Sequence, residues 1–364
     1  MQTVITRLLF SISFLFILVS CGDDGEDNPL GLPLNDSGFF IVNEGAFGNS
    51  NTSLSFYSDE TGEVTNNIFQ LVNERPLGDQ SQSMAIHEDE GFIVVQNSGK
   101  VEVIDVDNFE SIATITDGLE SPRYFIGLDD DKGYVSDWGA DGFTGSVKVI
   151  DLENYSVSAT IVTGAGSNQM VMRGGFLYVA NNGGFGTNNT ISVIDTSSDE
   201  VVETVEVGDN PSNLVLDSDD NIWVLGSGSL AFDPTDFSII EEESTPGFIS
   251  RINSSNQVDL SLSFDVITGS TADDLVIDLS NNRLYFNFDG GVWQANATGS
   301  TISTEMFLDA GLYGLSVDPS SGQLIGTQAP DFASGGNLIF YDSEGNQSTT
   351  QIVGIGPNSC VFKD

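Results

Sequence analysis

The residues that chemistry would call on first are the single imidazole, His87, the two cysteines, Cys21 and Cys360, and the adjacent carboxylates Asp273 and Asp274. Paired carboxylates can divide general acid and base work, or share a divalent ion, as a lactonase-like hydrolase would require. One histidine and two cysteines are too few for a zinc site of imidazole and thiolate, and they exclude a disulfide framework. No Ser-His-acid set can be assembled, because His87 falls in a tight turn on the opposite side of its unit from the long loops. Asp217-Ser218-Asp219-Asp220-Asn221 begins like an EF-hand loop. However, Ile222 stands where that loop needs glycine and Gly228 where it needs a bidentate acid, so the segment reads as an acidic hairpin turn. With 54 acidic residues in 364, neighbouring carboxylates arise easily by chance. The expectation is a binding protein rather than an enzyme, with no metal and no cofactor.

A second set of residues recurs at fixed places beside apolar segments. Gln82, Arg123, Tyr124, Gln169, Asn213, Asp274 and Tyr313 precede or open such segments as the expected contacts of a polar ring that also holds Gln80, Asn168, Asp273 and Asn358, and such a ring of amides and phenols suits a large neutral ligand with several hydrogen-bonding arms. Longer loops place an aromatic among Gly, Asn and Asp: Asn43-Glu44-Gly45-Ala46-Phe47, Asp137-Trp138-Gly139-Ala140-Asp141-Gly142-Phe143, Asn181-Asn182-Gly183-Gly184-Phe185, the 226–247 insertion with Phe232 and Phe237, and Gln328 to Phe332. From these loops Asn43, Glu44, Phe47, Trp138, Asn181 and Phe185 join the expected binding residues. Trp138 and Phe185 are expected as aromatic cover, since Gly-rich loops bury little of a ring without a ligand.

The elements that would position these residues are strands. Forty Gly and 24 Phe, with abundant Val, Ile, Thr, Ser and Asn, suit short strands and tight turns, and 39% apolar residues can fill a core. An apolar residue followed by Asp, Asn or Ser, with a further apolar strand residue about ten positions on, recurs about every 45 residues except for one interval of 58 that carries an insertion: Ser58 to Ile68, Asp105 to Ile115, Asp151 to Ile161, Asp195 to Val205, Asn253 to Leu262, Asn296 to Met306 and Asp342 to Ile352. The polar side chain accepts a backbone N–H two residues on and so starts the turn. Six upstream hairpins accompany these, and the seventh inner strand is Ser359 to Phe362, which must complete the unit that starts at Phe39. The reading is an all-β, seven-bladed propeller closed by its C-terminal strand, with the long loops all of one kind, between second and third strands, on the same face as the polar ring. The same closure makes Cys360 a buried free thiol.

Ahead of the blades, Arg7 and the apolar run Leu8 to Val19 read as a signal peptide over 1–20, too short to span a membrane as a helix. Leu18-Val19-Ser20-Cys21 resembles a bacterial lipobox, so Cys21 is expected to be lipidated, with an acidic linker over 21–37 and the propeller over 38–364. A formal charge of -44 repels nucleic acid and anionic membrane, which leaves the lipid anchor as the only expected membrane contact.

Phe40-Ile41-Val42-Asn43-Glu44-Gly45, Ser53 to Tyr57, Pro76-Leu77-Gly78-Asp79 leading to Gln82-Ser83-Met84, Ser121-Pro122-Arg123-Tyr124 and Gln169-Met170-Val171 together resemble the YncE-like seven-bladed propeller lipoproteins of Bacteroidota. Within them the pattern is most similar to the BtuG-type cobalamin-binding proteins. That resemblance implies an outer-membrane lipoprotein on the cell surface that binds cobalamin or another corrinoid on a loop-bearing face and passes it to a TonB-dependent transporter. The rival reading from the residues is a surface propeller that binds a protein or glycan with the same aromatic face.

Overall fold

A computed structural model describes residue 28, residues 30–265 and residues 272–363. The signal peptide and Cys21 lie outside the described residues. Within the segment before Pro33, the Asn28 side chain bonds both the backbone N–H and the carbonyl of Leu32, which forms a local turn.

From Pro33 on, the chain forms seven four-stranded antiparallel sheets, each one blade. Blade 2 shows the plan, running from the channel outward as Ser81–His87, Glu90–Val95, Lys100–Asp105 and Ser111–Ile115. Blades 3 to 7 repeat it, with inner strands Pro122–Asp129, Ser167–Arg173, Pro211–Leu216, Asp273–Asp278 and Gly314–Val317. Blade 1 is composite. Its inner strand is Pro357–Lys363, paired to Gly38–Asn43 with Phe39 opposite Phe362, Phe40 opposite Val361 and Ile41 opposite Cys360. The ring is therefore closed through the C-terminal strand.

The middle strands of each blade carry near-continuous apolar runs because both of their faces are covered by neighbouring blades. Seven hydrophobic clusters fill the seven gaps. One between blades 1 and 2 holds Phe40, Phe56 and Ile93, and one between blades 7 and 1 holds Phe39, Leu338 and Phe340. Outer strands have lost one covering face, and Glu200–Glu206 is almost wholly exposed. The turns after the third strands are built as their chemistry requires. Asp105 accepts the N–H groups of Asp107 and Asn108, Asp195 that of Ser197, and Asp342 those of Glu344 and Asn346. Asp217 caps its own hairpin in the same manner, and its other oxygen accepts the Trp223 indole N–H.

Two expectations are corrected. Ile68 is not in an outer strand. Blade 1 ends with the short strand Glu63–Thr65, and Asn67, in the left-handed region at φ 58°, turns the chain into a helix over Ile68–Asn73. Ile68 and Phe69 drop into the cluster with Phe40, Phe56 and Phe109, a larger gain than a fourth ladder would give them. Consequently the connection 66–80 is itself long, and the long loops are not all between second and third strands.

Candidate functional site

The seven inner strands surround a channel, and at one end it opens into a cavity of about 420 Å³. Glu44, Gln82, Tyr124, Gln169, Asn213, Asp274 and Tyr313 line it, so seven of the thirteen expected site residues meet there. They arrive by repetition, because each of the inner-strand residues among them opens a strand at the same height of a different blade. Met84, Met170 and Leu315 supply apolar wall between them. Cys360 also lines this cavity, where the expectation had it buried. It is a free thiol, and burial pushes its pKa up to about 12, well away from a reactive thiolate.

Glu44 bridges the mouth. Its carboxylate accepts from the Tyr313 hydroxyl at 2.8 Å and from Asn358 Nδ2 at 3.0 Å, and Asn358 also donates to the carbonyls of Ser81 and Gln82. Burial raises its pKa, and the two donors oppose that rise. Across the channel, burial pushes Asp273 up to about 6 and, together with the charge of Asp273, holds Asp274 well above the usual carboxylate range. Gln169 is partly committed, since its Oε1 accepts the N–H of Leu214.

Around the mouth stands a second tier. The Arg123 guanidinium lies 3.7 Å from the ring centroid of Trp138. Phe185 meets that indole edge-on at 6.0 Å and Phe143 at 5.9 Å, which makes a row running outward over blades 3 and 4. Phe332 packs edge-on against Tyr313 at 5.1 Å. Phe47, Phe143, Phe185, Phe232, Phe237 and Phe332 are all exposed, and they account for every exposed phenylalanine among the described residues except Phe176. All six come from loops between second and third strands. The 226–247 insertion contributes two of them from a small hairpin held by bridges at Ser229–Thr245 and Phe232–Ile239.

These loops are tied down where they begin. In blade 1 the N–H groups of Glu44 and Gly45 bond the carbonyls of Gly356 and Ile355, in blade 4 those of Asn182 and Gly183 bond Gly166 and Ala165, and in blade 5 those of Ser227 and Gly228 bond Asn210 and Asp209. In blade 3, Asp137 gathers the N–H groups of Glu120, Ser121 and Gly139. The roots are thus fixed by backbone bonds to the preceding interblade connection, and the aromatic tips project from rigid bases.

Three expected residues sit elsewhere than the binding-face reading placed them. Asn43 and Asn181 are fully buried at the last position of second strands, and they spend their amides inside their own blades. Asn43 Nδ2 donates to Ser55 Oγ at 2.9 Å, and Asn181 Nδ2 to Thr190 Oγ1 and Ser192 Oγ at 2.9 Å each. Asp137 holds the same place in blade 3, and this recurrence is the signal in the sequence that marks the position as architectural. Trp138 is only 9% exposed, because Arg123 and Phe185 cover it, whereas Phe185 is 72% exposed. Asn358, expected in the polar ring, and Phe143, expected in its loop, stand at the site although neither is among the thirteen expected contacts. Each follows from the blade period, Phe143 as a loop aromatic and Asn358 as the polar opener of the seventh inner strand. His87 lies at the opposite end of its strand, with Nε2 against the Asp129 carbonyl. No group of three or more His, Cys, Asp or Glu among the described residues is arranged to hold a metal ion.

Fold and face together define a closed seven-bladed β-propeller with a polar channel mouth ringed by exposed aromatic loop tips. The chain belongs to the DUF5074 family, a domain of unknown function, whose pattern matches residues 37–353. No curated protein matches the chain. Among solved structures it is similar to a quinonprotein alcohol dehydrogenase-like protein from Bacteroides thetaiotaomicron, at 15% identity over 91% of this chain and 79% of that one, with a TM-score of 0.66. It is also similar to a candidate 6-phosphogluconolactonase from Bacteroides fragilis, at 14% identity over 91% and 99% and a TM-score of 0.61. A third likeness is to the hydrazine synthase of Kuenenia stuttgartiensis, at 16% over 77% and 88% and 0.60. At these identities the likeness establishes the propeller and nothing finer.

Proposed function

We propose that this protein is a surface lipoprotein that captures a corrinoid such as cobalamin on its loop face and hands it to a TonB-dependent transporter. The observation that carries the reading is the collection of six exposed phenylalanines on the single face where the channel mouth presents amides and phenols. A corrin is a broad, partly apolar disc fringed with amide arms, so aromatic tips can cover its surface while Gln82, Gln169, Asn213 and Asn358 meet its fringe. A cavity of about 420 Å³ admits an arm rather than the disc, and the disc would lie across the tips. Capture and delivery need no nucleophile.

The test is titration calorimetry with cyanocobalamin on wild type and Phe185→Ala. Because Phe185 is exposed, the variant should melt like wild type yet lose about 2 kcal/mol of binding, roughly thirtyfold in affinity. Trp138→Ala, by contrast, should lower the melting temperature, since that ring is enclosed. Absence of any heat with cyanocobalamin would sink the corrinoid reading. A second reading rests on the raised Asp273 and Asp274 carboxyls, which would serve a lactonase-like hydrolase. Turnover of a sugar lactone that disappears in Asp274→Asn would favour it.

A further inference from the structure

Arg123 is the one arginine among the described residues whose guanidinium donates to nothing in the protein. Arg75 and Arg251 are paired with Glu102 and Asp259, Arg173 donates to backbone carbonyls of the next blade, and Arg283 donates to Gln294. In a chain with 54 acidic and 10 basic residues, an arginine left without a carboxylate runs against the odds. Two carboxylates exert their charge on it, and both are committed. Asp137 holds the backbone N–H groups of Glu120, Ser121 and Gly139, and Glu44 holds Tyr313 and Asn358. The guanidinium is instead stacked on Trp138, where its Nε and the indole Nε1 are both enclosed without an acceptor. Stacking uses the faces of the two groups, and the two Nη groups, neither enclosed nor bonded within the protein, are left as the fork by which a guanidinium grips a phosphate or carboxylate.

We propose that Arg123 on its Trp138 platform forms an anion subsite that takes the phosphodiester of the bound ligand. For its ligand this rests on the corrinoid reading, because a complete corrinoid carries a phosphodiester in its nucleotide arm while cobinamide ends before it. The subsite would fix that arm beside blade 3 and leave the disc to the exposed tips of Phe143 and Phe185, so that complete corrinoids are selected over incomplete ones. Burial lowers the guanidinium pKa to about 10 in spite of the opposing charges of Glu44 and Asp137, and an anion that binds there relieves the folded state of that cost.

Two measurements separate the subsite from the reading it rests on. In the first, inorganic phosphate replaces chloride at constant ionic strength while melting is followed. Wild type should rise by a few degrees at tens of millimolar phosphate, Arg123→Gln should not move, and Arg123→Lys, which keeps the charge without the fork, should retain part of the response. In the second, cyanocobalamin and cobinamide are titrated into each protein. Wild type should prefer cobalamin by about tenfold or more, the worth of a charge-assisted bond, and Arg123→Gln should bind the two alike. No phosphate response in wild type, a response that survives Arg123→Gln, or a preference unchanged in that variant overturns the subsite. Failure of both corrinoids to bind beside an intact phosphate response overturns the corrinoid reading and leaves the subsite standing.

Discussion

Asp273 and Asp274 border open space in the channel, yet the protein around them displaces enough water to make ionisation unfavourable. A carboxyl in the unfolded chain titrates near about 4. Between that value and the folded value of about 6 for Asp273, the native protein holds protons that the unfolded chain has released, so this contribution to stability is complete at low pH and is lost as pH rises through about 6. The double variant D273N/D274N should therefore melt above wild type at pH 8 and level with it at pH 4. An equal gain at both pH values would show that packing, not titration, separates the two proteins. The seven channel residues are legible in the sequence because each opens an inner strand, or, for Glu44, follows a strand of blade 1, at a repeated place. Asn43 and Asn181 misled for the same reason, since the repeat that places them also shows that the blade needs them. Trp138 misled for a different one, because its cover is a side chain from another segment, which no local pattern reveals.

At the scale of elements, strands were the easiest to read, for two reasons. The middle strands are buried on both faces and appear as apolar runs, and an Asp, Asn or Ser turn marks the end of most third strands. The helix Ile68–Asn73 was not readable, since its few residues keep the apolar spacing of the outer strand they replace and only the left-handed Asn67 diverts them. The inner strand of blade 1 is the element whose removal is most informative. Deleting residues 357–364 exposes the paired edge of Gly38–Asn43 and uncovers Phe39 and Phe40. The melting temperature is expected to fall by roughly 10 °C or more, with loss of a single cooperative transition. A truncated protein that melts like the full chain would mean that the ring does not depend on this closure.

For the whole molecule, the acidity and the face divide the work. A net charge of -44 keeps the body from anionic surfaces, so the proposed surface location depends on a covalent lipid, for which Cys21 is the proposed site. Replacing Cys21 with Ser should move the protein from the membrane fraction to the soluble one. Retention in the membrane fraction would remove the anchor, and with it the surface location, from the proposed function. Meanwhile the tips of the loop face contribute nothing to the seven interblade clusters, and their roots are held by backbone bonds in blades 1, 4 and 5 and by the Asp137 carboxylate in blade 3.

Because blade 1 borrows its innermost strand from Pro357–Lys363, the first blade to be synthesised is the last to be finished. Blades 2 to 7 each hold all four of their strands in one stretch of chain and can assemble in order as it lengthens, but Gly38–Asn43 must wait with an open edge until Pro357–Lys363 arrives. The same late strand brings Asn358 to Glu44, so the mouth of the channel is set only when the ring is shut. A chain that stops short of Pro357 would thus have most of its scaffold and an unfinished channel mouth.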